Sequence, residues 1–242
     1  MATRRKSSKP SPRRPALRGG ASHRGFAPKP KAAVRVPGQA PSSASRLHAL
    51  LDRIDARNRE DPHTELIGGV PQPRELAYAR RLTDWVLTLH PEASEALRIA
   101  ARGQHIRRWT IPRERYPRNR QGYLTWRETL KTFHAQQVGE LMRQAGYPEG
   151  DVERVQRLMS KRALPSDPET QTLEDALCLV FLDTQFSDLR KKEPEEKMRE
   201  ILRKTWQKMS PRAREAALAL PLGREERALL RHALGPEGKT GN

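Results

Sequence analysis

The chain has 242 residues, of which 35% are apolar and 31% are charged, and its formal net charge is +18. This length suits one domain of ordinary size plus an extension, and no apolar run approaches the roughly 20 residues that a membrane-spanning helix needs. The single cysteine, Cys178, excludes an intrachain disulfide and any cysteine-based zinc site. These features predict a soluble protein, which we expect to be cytoplasmic and without a membrane partner.

The positive charge is concentrated at the N-terminus. Residues 1–41 contain eleven Lys and Arg, seven prolines and no acidic residue, which leaves +7 for the rest of the chain. Such a segment has too little apolar surface to offset its ordering entropy, so it is predicted to be a disordered basic tail. The tail could contact nucleic acid non-specifically, and a solvated tail without a partner is the alternative.

From residue 42 onward the apolar residues recur with a period near 3.6, which indicates amphipathic helices. Ser42 or Ser43 is the predicted cap of the first helix, and Asp167-Pro168 is a strong start signal for a later one. No segment shows sustained alternation, and residues 58–69 are predicted to be a loop. The sequence therefore predicts an all-α, single helical-bundle domain at 42–222, followed by a helix end and frayed tail at 223–242. The later helices are expected to start near 74, 91, 121, 151, 167, 193 and 211.

Three polar residues fall on otherwise apolar helix faces. His105 follows Leu97 and Ala101 at spacings of four, His134 lies four residues from both Leu130 and Val138, and Asp175 has Cys178, Leu179, Leu182 and Phe186 on its side. A buried carboxylate needs a cation, a metal or a set of hydrogen bonds. The three residues are therefore candidate metal ligands. The alternatives are core histidines with satisfied hydrogen bonds, and a capping box of Asp175 with Thr172.

The segment between the third and fourth helices is rich in arginine and aromatic residues. Arginine side chains bind phosphate in a bidentate manner, and aromatic rings can stack on a base or sugar. The alternative is a solvated basic loop whose tryptophans pack in the core. The candidate phosphate-binding residues are Arg107, Arg108, Arg113 and Arg127, and the candidate pocket-lining residues are Tyr78, Trp109, Tyr116, Tyr123 and Trp126.

The stretches QHIRRW and YP…GYL.WR…FHA resemble motifs of an uncharacterised family found in bacteria and fungi, over roughly residues 45–222. The order of features is also similar to the HD-domain superfamily of metal-dependent phosphohydrolases, a helical-bundle fold. That resemblance implies His105, His134 and Asp175 as ligands of a divalent metal. The chain departs from the HD pattern at two ligand positions, which fall on Tyr78 and Ile106.

Three functions remain open from the sequence. The first is a divergent HD-like phosphohydrolase acting on a nucleotide or another phosphorylated small molecule, with a metal-activated water. The second is a non-catalytic protein that binds a phosphorylated ligand without a metal. The third is a nucleic-acid-associated protein that acts through the basic tail, with a steep salt dependence.

Overall fold

The computed structural model describes residues 42–161 and 166–234, so the predicted tail at 1–41 lies outside the described residues, as do 162–165 and 235–242. The described chain is mostly helical, with a single two-stranded sheet among the described residues, which confirms the all-α prediction. Its helices are α1 (Ser43–Arg59), α2 (Arg74–Leu89), α3 (Glu95–Gly103), α4 (Arg120–Gln144), α5 (Glu149–Ser160), α6 (Pro168–Val180), α7 (Phe186–Arg190), α8 (Glu195–Lys208), α9 (Pro211–Ala219) and α10 (Arg224–Leu234).

Side-chain caps explain where several helices begin. The side chains of Ser42, Ser94, Asn119, Asp167 and Ser210 each accept a hydrogen bond from a backbone N–H in the first turn of α1, α3, α4, α6 and α9. These bonds satisfy donors that a helix leaves unpaired at its N-terminus. The predicted starts at Ser42 and at Asp167-Pro168 are confirmed. The third helix begins at Glu95, directly after its cap Ser94, rather than near Pro91, because serine supplies the capping oxygen that proline lacks.

The prediction of a loop without strands at 58–69 is wrong in part. Strands β1 (Thr64–Ile67) and β2 (Val70–Pro73) form an antiparallel hairpin in which Ile67 pairs with Val70. The two residues between the strands, Gly68 and Gly69, have φ of 56° and 83°. Both therefore adopt the left-handed conformation that a tight two-residue turn requires and that glycine adopts readily.

The helix predicted from 167 to 188 is interrupted. A π-helical turn, Phe181–Gln185, separates α6 from α7. A π-helical turn takes one residue more than an α-helical turn and so shifts the register of the side chains that follow. Periodicity over so short a stretch does not reveal this change.

The core lies where α2 packs against α1, α3 and α6, and where α5 packs against α3 and α4. Its fully buried members include Leu50, Leu82, Leu97, Leu158 and Phe186. At 223–242 the sequence predicted only a helix end and a frayed tail, whereas the structure has a separate helix there, α10, which packs on α8. None of the helices in the described ranges has the length and hydropathy needed to cross a membrane.

Candidate functional site

Side chains from α2, α4, α6 and α8 surround a cavity of about 340 Å³, together with the segment after α3 and the end of α5. We call it the basic cavity. Its lining includes Tyr78, Gln104, His105, Arg108, Tyr123, Trp126, Arg127, Leu130, Lys131, His134, Met159, Lys161, Glu174, Leu177, Cys178, Phe181, Gln185, Thr205 and Lys208.

Five cationic side chains line the basic cavity, against one carboxylate. The carboxylate belongs to Glu174, whose oxygens lie 2.8 Å from Lys161 Nζ and 3.3 Å from Lys208 Nζ. These two lysines lower the pKa of Glu174 against the opposing effect of its burial. Glu174 is therefore ionised and neutralises only part of the positive charge on the cavity wall.

The two arginines of the basic cavity lie over aromatic rings. The Arg108 guanidinium carbon is 4.8 Å from the ring centre of Trp126, and that of Arg127 is 5.8 Å from the ring centre of Tyr123. Arg108 Nε is also 3.8 Å from a carboxylate oxygen of Glu75. An aromatic face holds a guanidinium without neutralising its charge. Arg127, an exposed residue at the cavity wall, therefore keeps its positive charge.

His105 lies between a carboxyl group and an aromatic ring. Its Nδ1 is 3.3 Å from Glu75 Oε2, and its ring stacks on Tyr78 with centroids 4.0 Å apart. Burial raises the pKa of Glu75 to about 7, although Arg108 opposes the shift. Burial also lowers the pKa of His105 well below its usual value. The imidazole of His105 is therefore neutral, and Glu75 titrates near neutral pH.

His134 lies at the inner side of α4 and is 3% exposed. Its Nδ1 is 2.8 Å from the carbonyl oxygen of Ile106, and its Nε2 is buried with no hydrogen-bond partner in the described part of the chain. Burial lowers the pKa of His134 to about 3. The rings of His105 and His134 are 5.8 Å apart, so the structure brings two of the three predicted metal ligands to one cavity.

Asp175, the third predicted ligand, has a different environment. Its Oδ1 accepts hydrogen bonds from Gln171 Nε2 at 2.9 Å and from the backbone N–H of Ser210 at 2.8 Å. It is not among the described residues that line the basic cavity. The carboxylate that the sequence analysis left without a partner thus fastens the start of α9 to α6.

The predicted metal set does not fit this geometry. Asp175 is occupied at the start of α9, Nδ1 of His105 faces Glu75, and Nδ1 of His134 is bonded to a carbonyl. Across the described ranges, no group of three or more His, Cys, Asp and Glu side chains is arranged to hold a metal ion. Cys178 also lines the cavity, but burial raises the pKa of its thiol to about 12, which keeps it protonated.

Two of the four predicted phosphate-binding arginines, Arg108 and Arg127, line the basic cavity. Arg107 instead connects to the end of α1, where its backbone N–H donates to Asn58 and its guanidinium lies 3.9 Å from Glu60. Arg113 donates to the carbonyl oxygens of residues 116 and 117 and so holds the loop before α4 together.

Three of the five predicted pocket-lining residues, Tyr78, Tyr123 and Trp126, line the basic cavity. Trp126 is also fixed by a 2.9 Å hydrogen bond from its Nε1 to the carbonyl oxygen of Ile111. Trp109 and Tyr116 are half-buried and are not among the described lining residues.

The site residues predicted from the sequence do not include Glu75, Lys131, Lys161, Glu174 or Lys208. Helical spacing could have found Lys131, because it lies four residues after Arg127 and three before His134 on α4. The two other lysines and the two glutamates converge from α2, α5, α6 and α8. Their proximity is a product of tertiary packing, which leaves no local pattern.

A family model described as Domain of unknown function (DUF4202) matches residues 48–230. The chain belongs to this family. All the residues that line the basic cavity lie within the matched range, whereas residues 1–41 precede it. The comparison with curated proteins and the comparison with solved structures give no match.

Proposed function

We propose that this domain binds a phosphorylated small molecule in the basic cavity. The observation that carries the proposal is that Arg108, Arg127, Lys131, Lys161 and Lys208 line one cavity, in which Glu174 supplies the one lining carboxylate. A volume of about 340 Å³ lies in the range of small-molecule sites.

Charge balance favours a phosphate over a neutral ligand. Cationic side chains grouped at one cavity wall repel one another, and although Glu75, Glu128 and Glu174 each contact at least one of them, a bound anion relieves the remaining repulsion. Leu130, Met159 and Leu177 supply the apolar part of the wall, where charge-assisted hydrogen bonds to phosphate oxygens are stronger than in bulk water.

Calorimetric titration with inorganic phosphate, pyrophosphate and small phosphate esters tests this proposal. We expect binding that weakens about tenfold in Arg127→Gln and in Lys131→Gln, because each change removes a charge-assisted hydrogen bond. The matched controls are Arg203→Gln and Lys204→Gln, in which exposed cations of α8 are removed. Equal affinity in the cavity variants and the controls would contradict the proposal, as would no binding of any of these anions at millimolar concentration.

Hydrolysis of a bound phosphate ester, as the HD resemblance implies, is the second candidate function. The pairing of His105 with Glu75 favours it, because a carboxyl group with a pKa of about 7 beside an imidazole suits proton transfer at neutral pH. A water would attack phosphorus while its proton passes through the imidazole of His105 to Glu75. The bond between phosphorus and the ester oxygen would break, and the same proton would return to the leaving alcohol. Asp175 does not join His105 and His134 in the cavity, so the predicted set of three metal ligands does not converge and we assign no step to a metal.

A phosphatase assay tests the second candidate. We expect release of phosphate from a simple aryl phosphate to fall at least tenfold in Glu75→Gln, with the ligand still bound. The assay is run with and without added Mg²⁺, Mn²⁺ or Zn²⁺, and metal content is measured on the purified protein. Turnover that is unchanged in Glu75→Gln would remove the proton-transfer role, and the absence of turnover under all conditions would leave binding as the function.

A further inference from the structure

The basic cavity contains a hydrogen-bond acceptor that a phosphate cannot satisfy. His134 lines the cavity at 3% exposure, and its Nε2 is buried without a hydrogen-bond partner among the described residues. Buried polar atoms in proteins are nearly always paired, and an exception points to a group that completes the site.

The hydrogen bond that Nδ1 of His134 makes determines which of its two ring nitrogens carries the proton. The carbonyl oxygen of Ile106, 2.8 Å from Nδ1, can only accept a hydrogen bond, so Nδ1 carries the proton. A second proton on Nε2 would create a buried cation close to Arg108, and both burial and this like charge oppose it. Nε2 therefore presents a lone pair, and its partner must be a donor.

The side chains that line the basic cavity restrict which chemical group can donate to Nε2 of His134. The oxygens of a phosphate dianion are acceptors, so they cannot pair with Nε2. An ammonium group would be repelled by the five cationic side chains of the cavity. A hydroxyl group is a neutral donor that suits both constraints. The amide of Gln104, whose Oε1 is also buried without a partner in the described part of the chain, can meet further hydroxyl groups because it can present either its oxygen or its nitrogen.

We propose that the ligand is a phosphate ester whose organic part carries a hydroxyl group, and that this hydroxyl donates a hydrogen bond to Nε2 of His134. This inference rests on the proposed phosphate-binding function and adds the class of ligand, a polyol or sugar phosphate. The phosphate contacts the cationic side chains, and the hydroxyl group takes the position beside the imidazole. Water has no access to Nε2 in the present arrangement, so binding requires a lining side chain to shift and admit the hydroxyl.

Two matched probes test the inference on the full chain. Glycerol 3-phosphate and n-propyl phosphate have the same chain length and the same phosphate, and only the first carries hydroxyl groups. We expect the protein to bind glycerol 3-phosphate about tenfold more tightly, because its hydroxyl satisfies the buried acceptor.

Two variants assign that difference to His134. His134→Leu should bind the two probes with equal affinity and retain the affinity for n-propyl phosphate, while His134→Gln, which keeps an acceptor, should restore part of the preference. His48→Leu, at an exposed position on α1, is the control substitution. Circular dichroism checks that each variant is folded. If His134→Leu does not fold, His134→Gln is used to test the inference.

Each other outcome has a distinct meaning. If neither probe nor inorganic phosphate binds the unaltered protein, the proposed function itself fails. If both probes bind equally, phosphate binding stands and the inference about the hydroxyl group is wrong. A loss of n-propyl phosphate affinity in His134→Leu would also overturn it, because the imidazole would then act as a donor to phosphate. Stoichiometric zinc uptake that disappears in His134→Leu would show that Nε2 binds a metal instead.

Discussion

At the residue scale, Asp167 makes several interactions at the start of α6. Its carboxylate accepts hydrogen bonds from the backbone N–H of Glu169 and from Thr170 Oγ1, and it binds both terminal nitrogens of Arg154 at 2.6 and 3.0 Å. The same guanidinium contacts Glu169. Asp167 thus joins α5 to α6 and caps α6 at the same time.

Asp167→Ala is expected to lower the free energy of unfolding by about 1–2 kcal/mol at pH 7, because the cap and the Arg154 contact are both lost. Arg154 holds the pKa of Asp167 at about 2, below the ordinary 3.8. The contribution is therefore complete above pH 4 and disappears as the pH falls from about 4 to about 2. Urea unfolding at pH 7 and at pH 2.5 measures this. A difference from the unaltered protein that is as large at pH 2.5 as at pH 7 would contradict it, and Asp84→Ala on the exposed side of α2 is the control.

Glu75 shows the opposite dependence on pH. Its folded-state pKa of about 7 lies above the ordinary 4.5, so the folded protein binds this proton more tightly than the unfolded chain does. The contribution of Glu75 to the free energy of unfolding therefore falls as the pH rises from about 4.5 to about 7. Glu75→Gln should gain roughly 3 kcal/mol relative to the unaltered protein across that window. Thermal unfolding of Glu75→Gln and of the unaltered protein at pH 5 and pH 8 tests whether the variant gains stability as the pH rises. Exposed Glu215→Gln is the control.

The sequence reveals the polar residues of the inner helix faces but not their partners. The burial of His134 and Asp175 follows from helical spacing, because their apolar neighbours lie three and four residues away. Their partners, the carbonyl of Ile106 and the N–H of Ser210, are 28 and 35 residues distant along the chain. Backbone groups occur at every position, so no sequence pattern distinguishes a backbone partner from a metal.

At the element scale, the start of α4 depends on close contact with the loop before it. A Cβ atom at Gly122 would lie 2.2 Å from the carbonyl oxygen of Pro117, well inside contact distance. The same turn is capped by Asn119, which accepts a hydrogen bond from the N–H of Gly122 at 2.7 Å. The absence of a side chain at Gly122 therefore fixes how the arginine-rich loop enters the helix that carries Tyr123, Trp126 and Arg127.

Gly122→Ala is expected to destabilise the protein by about 1–3 kcal/mol, because the loop backbone must move away. Gly150→Ala is the matched control in α5, where a Cβ would meet nothing within 4 Å. That change should be neutral or stabilise by about 0.5 kcal/mol through helix propensity. Urea unfolding of both variants measures the contrast. Equal effects at the two positions would show that the contact with Pro117 is relaxed in solution.

The helices are predictable from the sequence because each carries its own period and, in several cases, its own cap. Asp167-Pro168 marks the start of α6, and Ser42 that of α1, since these signals are local. The hairpin at Thr64–Pro73 is not predictable in this way, because its four-residue strands are too short for an alternation of polar and apolar residues to stand out. The Gly68-Gly69 pair was the available signal for its turn.

At the scale of the whole molecule, the positive charge lies in two parts of the chain, and the two parts predict different modes of anion binding. The basic cavity lies within the folded helices, whereas residues 1–41 carry eleven cationic side chains and no acid. Binding of a nucleic acid through such a segment depends on the release of counterions, while a small ligand in a cavity makes few contacts with limited salt dependence.

Residues 42–242 are therefore expected to keep the affinity for small phosphate esters and to lose the affinity for nucleic acid. For the full chain, the logarithm of the association constant for a DNA duplex should fall steeply with the logarithm of the salt concentration. Fluorescence anisotropy between 50 and 200 mM salt, with both chains, measures the slopes. Strong DNA binding by residues 42–242 would instead place the nucleic-acid contact on the helical domain.

The π-helical turn at Phe181–Gln185 has an evolutionary consequence. Such a turn equals a regular helix with one inserted residue, so a homologue one residue shorter there would have an unbroken helix from α6 through α7. Phe181 and Gln185 both line the basic cavity from this turn. The shorter homologue would present different side chains at that wall. We therefore expect that a homologue one residue shorter at this point would differ from this chain in its affinity for the phosphate esters proposed above.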